Sequence, residues 1–194
     1  LNKGDDEAYG LFQPFNSDVV DKGVFWNKTV GGNTLNPGTS VAIQTTMDLG
    51  NGFFVSGGAE KLEQTGAMAG LLVGVLEYKG DGITAHISGV AGGFLDGVIE
   101  RYAVHAGVTA TFDPVTVRAA LAADESGYWN GLVTAQATFD MFTLAGAVEA
   151  VGGPTLAGTD FGASGSVGAT VTDGVAVNVG GRWYRDVSAG VDSY

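Results

Sequence analysis

The chain has 194 residues, with 9 Lys and Arg against 21 Asp and Glu for a formal net charge of −12; 45% of residues are apolar, only 15% are charged and 33 are glycine. Soluble domains carry about 25% charged residues, so this chain is short of the groups that cover a water-facing surface, and part of its exterior is expected to meet another solvent. The acidic balance excludes electrostatic binding of nucleic acid, and the absence of cysteine excludes a disulfide framework and a thiolate metal site.

Residues 1–38 mix acids, Gly, Pro and bulky aromatics, as in the stretches 4–15 and 23–27, without a sustained period of two. Such a segment is expected to be a long structured loop or plug. The start at Leu1, without an initiator Met or a signal peptide, is that of a mature form or a fragment.

From residue 39 onward, apolar and small polar residues alternate in stretches of about ten residues, the period of a β-strand. The first pair, 39–48 and 53–62, meets at Leu49-Gly50-Asn51-Gly52, whose Asn-Gly is a tight-turn signal. After 63–68 come 69–79 and 83–92, joined by Gly80-Asp81-Gly82. Residues 93–101 lead to 102–112 and 115–124, which meet at Asp113-Pro114. Residues 125–131, with Tyr128 and Trp129, lead to 132–140 and 142–151, which have almost no connection between them. Finally 152–160 lead to 161–171 and 175–186, joined at Thr172-Asp173-Gly174.

The connections alternate between about two to four and about seven to nine residues, the pattern of outer-membrane barrels with short periplasmic turns and longer outer loops. The longest apolar run, 67–78, is interrupted by glycines, whereas a membrane-spanning helix needs ~20 residues, which excludes helical insertion. Closed barrels also satisfy every backbone group in lipid, with strands of only about 9–11 residues.

Taking the more apolar phase of each strand as outward collects Val41, Ile43 and Met47; Ile83, Ala85 and Ile87; Val104, Ala106, Val108 and Ala110; Val117, Ala119 and Leu121; Val133, Ala135 and Ala137; Leu144 and Val148; and Val175, Val177 and Val179. The opposite phase holds Gln44, Glu60, His86, His105, Arg118, Gln136, Glu149, Asn178 and Arg182. The stretch 69–79 resists assignment, because Glu77 shares a phase with Val73 and Val75. Aromatics of the outward phase gather at both rims: Phe53, Tyr78, Phe112, Phe139 and Phe142 near the short turns, and Tyr102, Phe161 and Trp183 near the longer loops. Two aromatic girdles flanking an apolar band mark membrane interfaces, although rim aromatics also line the core of a soluble barrel. Inward residues are mostly Gly, Ala, Ser and Thr. These are too small to fill a lumen, and barrels of about sixteen strands leave a water channel where those of about eight do not.

Strands, alternating connections, girdles and the preceding loop together resemble the general diffusion porins of Gram-negative outer membranes. The Gly/Ala/Val-rich strands, as in Ala106-Gly-Val-Thr-Ala-Thr-Phe-Asp-Pro-Val115, are most similar to the alphaproteobacterial porins. The resemblance implies an all-β transmembrane antiparallel barrel of sixteen strands, about ten of them visible here, with a long third outer loop folded into the pore. If 1–38 is that loop, 39–186 supply strands six to fifteen and 187–194 the last loop, with five strands missing before Leu1 and one after Tyr194. The resemblance further implies a water-filled channel for small hydrophilic solutes, without enzymatic activity or cofactor. Its setting would be bacterial outer-membrane lipid and lipopolysaccharide, and its assembly a homotrimer.

In porins the constriction sets loop acids against wall bases, and rings of charge with pore diameter order the solutes. Here Asp5, Asp6, Glu7, Asp18 and Asp21 would face Arg118 and Arg182, with Glu60 and Glu149 pairing with such bases in the lumen. The loop acids also fit a solvated charge run. Arg118 and Arg182 are assigned inward because a charge on the lipid face near the midplane costs about 2–4 kcal/mol. His86 and His105 share the inward phase and are expected to be solvated lumen histidines, since neither a third ligand nor a fixed carboxylate at recognisable spacing supports a metal or acid–base site. Asn27-Lys28-Thr29 matches a glycosylation acceptor, and the Gly-rich 162–168 lacks the helix and Lys of a phosphate loop. Two other readings remain: a smaller complete barrel with an adhesive, structural or hydrolytic role, its lumen plugged by 1–38, and a soluble or secreted β-rich surface protein.

Overall fold

The computed structural model describes residues 41–63, 65, 69–154, 156–187 and 189–194. They form one eleven-stranded antiparallel sheet in which every strand pairs with its neighbours in chain order. The strands are β1 (Ile43–Gly50), β2 (Phe53–Glu60), β3 (Leu71–Gly80), β4 (Ile83–Gly92), β5 (Arg101–Phe112), β6 (Val115–Asp124), β7 (Trp129–Phe139), β8 (Phe142–Gly152), β9 (Asp160–Thr172), β10 (Val175–Asp186) and β11 (Val191–Ser193). The only helical element among the described residues is a single 3₁₀ turn, Phe94–Asp96. The sheet is open, with β1 and β11 as its edges.

Bounds of β4, β6 and β10 coincide with those expected from the alternation, and β2, β3, β5, β8 and β9 differ by one or two residues at an end. Three others differ more. β1 begins at Ile43 rather than 39, and β7 begins at Trp129, which pairs with Ala123 and Gly152, so the last three residues of the expected 125–131 loop are strand. The third difference is β11, which lies in the segment expected to be loop; Tyr184, Arg185 and Asp186 pair with Ser193, Asp192 and Val191. Too short to show a period of two, β11 is held by its register on β10 rather than by its own pattern. The segment 1–38, assigned to an inward loop, lies outside the described residues.

Short turns end the strands at one rim for local reasons. Asn51 and Gly52 have φ of 53° and 83°, the two positive values of a type I′ turn, whose twist matches the flanking strands. Gly52 is also constrained from outside, because its carbonyl accepts from the Lys79 amide at 2.7 Å and an added Cβ would strike the Lys79 carbonyl oxygen. Between β7 and β8 the whole connection is Asp140-Met141, with Asp140 at φ 52°; Asp tolerates this left-handed conformation better than most residues.

Register gives every strand one of two faces. Ile43 stands opposite Ala59, Ala59 opposite Leu72, Leu72 opposite Ala91 and Ala91 opposite Tyr102. The same face continues through Ala106–Leu121, Leu121–Gly131, Gly131–Ala150 and Ala150–Phe161 to Arg185. All the residues assigned outward on β1 and β4–β10 fall on this apolar face, and Gln44, Glu60, His86, His105, Arg118, Gln136, Glu149, Asn178 and Arg182 fall on the other. Register also settles β3: Glu77 pairs with Phe54 and His86 and therefore belongs to the polar face. Alternation failed there because Leu71 and Val73, on the same face, pack against Val90 and Ala103 in a small buried apolar cluster, while Leu72 and Leu76 take the apolar face. From Leu71 to Leu76 β3 is apolar on both sides.

Candidate functional site

The two faces have inverted solvent relations. On the apolar face Ile43 is 71% exposed and Val179 70%, and Val55, Leu72, Ile87, Val104, Leu121, Val133, Leu144, Val148, Val167 and Val177 are exposed as well. On the polar face Glu60 is 0% exposed and His105 1%, and Ser88, Asp124, Asn130, Thr134, Glu149 and Asp160 are buried. Soluble monomers rarely expose contiguous apolar patches beyond a few hundred Å², yet here exposed aliphatic side chains run from β1 to β10. Among the described residues of those strands the only charge in the apolar phase is Arg185, which stands next to the last residue of β10, at the rim.

Aromatic residues of this face occupy both rims. Phe53, Phe112, Phe139 and Phe142 are exposed beside the short turns, and the Phe53 and Tyr78 rings lie 4.9 Å apart. Tyr102 and Phe161 are exposed at the other rim; Trp129, placed in a loop by the sequence pattern, joins them through its pairing with Gly152. Tyr102 and Phe112 lie near the two ends of β5, which at ~3.3 Å per residue separates them by about 33 Å along its axis. At a tilt of about 40° this becomes roughly 25 Å, the height of the apolar band of an outer-membrane barrel.

Across the polar face, one registered row runs Lys79–Thr84–Thr109–Arg118–Thr134–Ala147–Ser164–Arg182. Arg118 and Arg182, singled out in the sequence, therefore share a row four strands apart, and Lys79 belongs to it as well. The adjacent row holds Glu77, His86, Glu149 and Gly162. Glu149 lies over Gly162, where an added Cβ would collide with the carboxylate, so the missing side chain makes room for the acid. Glu60, at the far end of β2, accepts from Gln44 Nε2 at 2.8 Å. The described ion pairs join Lys79 to Glu77 at 2.9 Å, and Arg101 to Glu125 at 2.5 Å and Asp124 at 3.8 Å. Asp5, Asp6, Glu7, Asp18 and Asp21 lie outside the described residues.

His86 and His105 correct an expectation. They are not two separately solvated side chains: His105 is buried, and its Nδ1 lies 2.9 Å from His86 Nε2 in a hydrogen bond whose direction depends on the tautomers. The cause is register. His105 pairs with Ser88 and His86 with Gly107, so the two imidazoles are diagonal neighbours on adjacent strands, and the residue directly opposite His86 has no side chain.

At the loop rim, carboxylates organise the longer connections. Asp124 Oδ1 accepts from the Ser126 amide and hydroxyl and the Tyr128 amide, closing the β6–β7 turn. Asp160 accepts from Tyr184 Oη at 3.2 Å and the Val187 amide at 2.8 Å. Partial burial raises the Glu125 carboxyl, but hydrogen bonds from Arg101 and from the backbone amides of Glu125 and Tyr102, together with the Arg101 charge, outweigh this and hold it below the ordinary carboxylate range. The sequence pattern missed Lys79, Glu77, Arg101, Asp124 and Asp160. Their phase was readable only for strands whose alternation was clean, and their neighbours only from register.

Among the described residues no three His, Cys, Asp or Glu side chains are grouped to hold a metal ion, and no helix is long and apolar enough to cross a membrane. Comparison of the chain with protein-family models, with curated proteins and with solved structures finds no match.

Proposed function

We propose that the chain is wall material of a bacterial outer-membrane porin, a water-filled β-barrel channel for passive diffusion of small hydrophilic solutes and ions. The observation that carries this reading is the inversion of the sheet: an exposed aliphatic face from β1 to β10, opposite a face holding nearly all charged strand residues. In lipid the first needs no cover, and only a closed ring of strands satisfies the backbone there. The eleven strands of the described residues are an odd number, whereas bacterial single-chain barrels have even ones. Closure by further strands, as in the sixteen-stranded porins the sequence resembles, is part of the proposal.

The small polar-face residues favour a channel over a plugged barrel. Ala176, Asn178, Gly180 and Arg182 of β10 remain exposed, and Ser164, Ser166 and Gly168 opposite them contribute little volume. Bases in one row and acids in the next set a field across the wall that sorts solutes by charge. Solvent on the two sides thus differs: hydrocarbon outside, water inside. Assembly as a homotrimer in lipid and lipopolysaccharide belongs to the same proposal.

Planar-bilayer recording from the full-length protein tests it. Stepwise ohmic conductance is expected, with ion selectivity that moves toward cations in Arg118→Gln and Arg182→Gln. Insertion without conductance would leave a membrane barrel with another role, and failure to insert would overturn the membrane reading.

A further inference from the structure

We propose that His86 and His105 form a two-histidine binding site for a divalent transition-metal ion of the copper or nickel type. Two imidazole nitrogens from neighbouring strands lie 2.9 Å apart, with ring centroids 4.8 Å apart and planes inclined by 41°. Imidazole suits copper, nickel and zinc among the divalent ions. At a metal–nitrogen distance of about 2.05 Å, two ligands at right angles are ~2.9 Å apart and two tetrahedral ligands ~3.3 Å apart. The pair already has the span of adjacent corners of a square or octahedral ion; a tetrahedral zinc would have to spread it.

Binding needs both facing nitrogens bare. The one that now donates carries its proton to the far nitrogen of its own ring, His86 Nδ1 or His105 Nε2, and two neutral imidazoles then ligate without net proton release. One carboxylate stands beside the pair. Glu77 stands directly opposite His86 across the β3–β4 pair, and its carboxylate is held in place by Lys79 Nζ at 2.9 Å. Ser88 Oγ donates to the His105 carbonyl at 3.5 Å, tying the buried histidine to β4. Only two protein ligands converge, so water fills the remaining positions from the half-buried His86 side, and the ion is exchangeable rather than structural. The site rests on the β3–β5 register alone and holds whether or not the sheet encloses a pore.

The test is titration of the purified chain in detergent with CuCl₂ and NiCl₂ by calorimetry, together with electron paramagnetic resonance of the copper form. One ion per chain is expected, with hyperfine splitting from two imidazole nitrogens, and weaker binding of ZnCl₂. His86→Ala and His105→Ala should each lower the affinity by at least the ~10-fold that loss of even an outer-shell partner costs. His86→Ala carries the test if the buried His105→Ala fails to fold, and Gly107→Val, which puts a branched side chain directly opposite His86, should weaken binding with both histidines present. Binding unchanged in His86→Ala, or a copper spectrum without imidazole splitting, would overturn the proposal.

Discussion

Strands β3 and β10 lie toward opposite edges of one sheet and share an apolar face, yet their other faces differ. On β10 the polar-face residues Ala176, Asn178, Gly180 and Arg182 are all exposed; on β3 Leu71 and Val73 are buried with Val90 and Ala103, beside the His86–His105 contact. Across this contrast the apolar face stays constant: Leu72 and Leu76 are exposed on β3, and Val175, Val177 and Val179 on β10. One side of the sheet therefore obeys a single rule along its whole width, as a surface in hydrocarbon must. The other is divided into a packed part and an open part, as a lumen wall can be.

Substitution at the two ends should break the contrast in order of size. Leu71→Ala removes a fully buried side chain and should cost about 2–5 kcal/mol, whereas Leu72→Ala, one position along on the exposed face, should cost much less in lipid; urea unfolding of the protein in lipid vesicles measures both. Val179→Arg puts a charge near the middle of β10 on the apolar face and should cost about 2–4 kcal/mol in the same assay. Asn178→Arg, its neighbour on the polar face, should change stability by less than about 1 kcal/mol, as solvated surface substitutions do. Equal costs for the β10 pair would mean that both faces meet the same solvent.

How much of this was legible in the sequence depended on the strand. Phe161 to Val171 and Val175 to Asp186 alternate cleanly because nothing on their polar face has to be apolar, and their phases and turns were readable residue by residue. β3 was not, since the cluster around Leu71 and Val73 is a tertiary demand that overwrites the period of two. β11 was missed because three residues carry no period. The rows of charge were invisible for a different reason: Arg118, Arg182 and Lys79 are far apart in sequence, and only register puts them in line. The contact between His86 and His105 likewise needed the relative stagger of β4 and β5, which hydrophobic pattern does not encode.

The smallest expected effect lies at the loop rim, outside either contrasted region. Glu125 is held below the ordinary carboxylate range, chiefly by hydrogen bonds with Arg101 and the backbone. A depressed carboxylate contributes stability above its unfolded pKa and loses it as pH falls through the folded value. Thermal unfolding should therefore separate wild type from Glu125→Gln near neutrality by under about 1 kcal/mol, the scale of a partly exposed ion pair. That difference should vanish as pH falls well below the ordinary ~4.3 of a Glu side chain.

The most direct test of the inverted sheet is a cysteine scan of β10, made simple by a chain that contains no cysteine. Single Cys substitutions at 175–180 in liposome-reconstituted protein would be treated with a membrane-impermeant maleimide, and in parallel labelled with a fluorophore and quenched by brominated lipid. We predict that Ala176→Cys, Asn178→Cys and Gly180→Cys react with the maleimide and resist the lipid quencher, while Val175→Cys, Val177→Cys and Val179→Cys do the reverse. Uniform reactivity along the strand, or maleimide labelling confined to the valine positions, would contradict a wall with hydrocarbon on one side and water on the other.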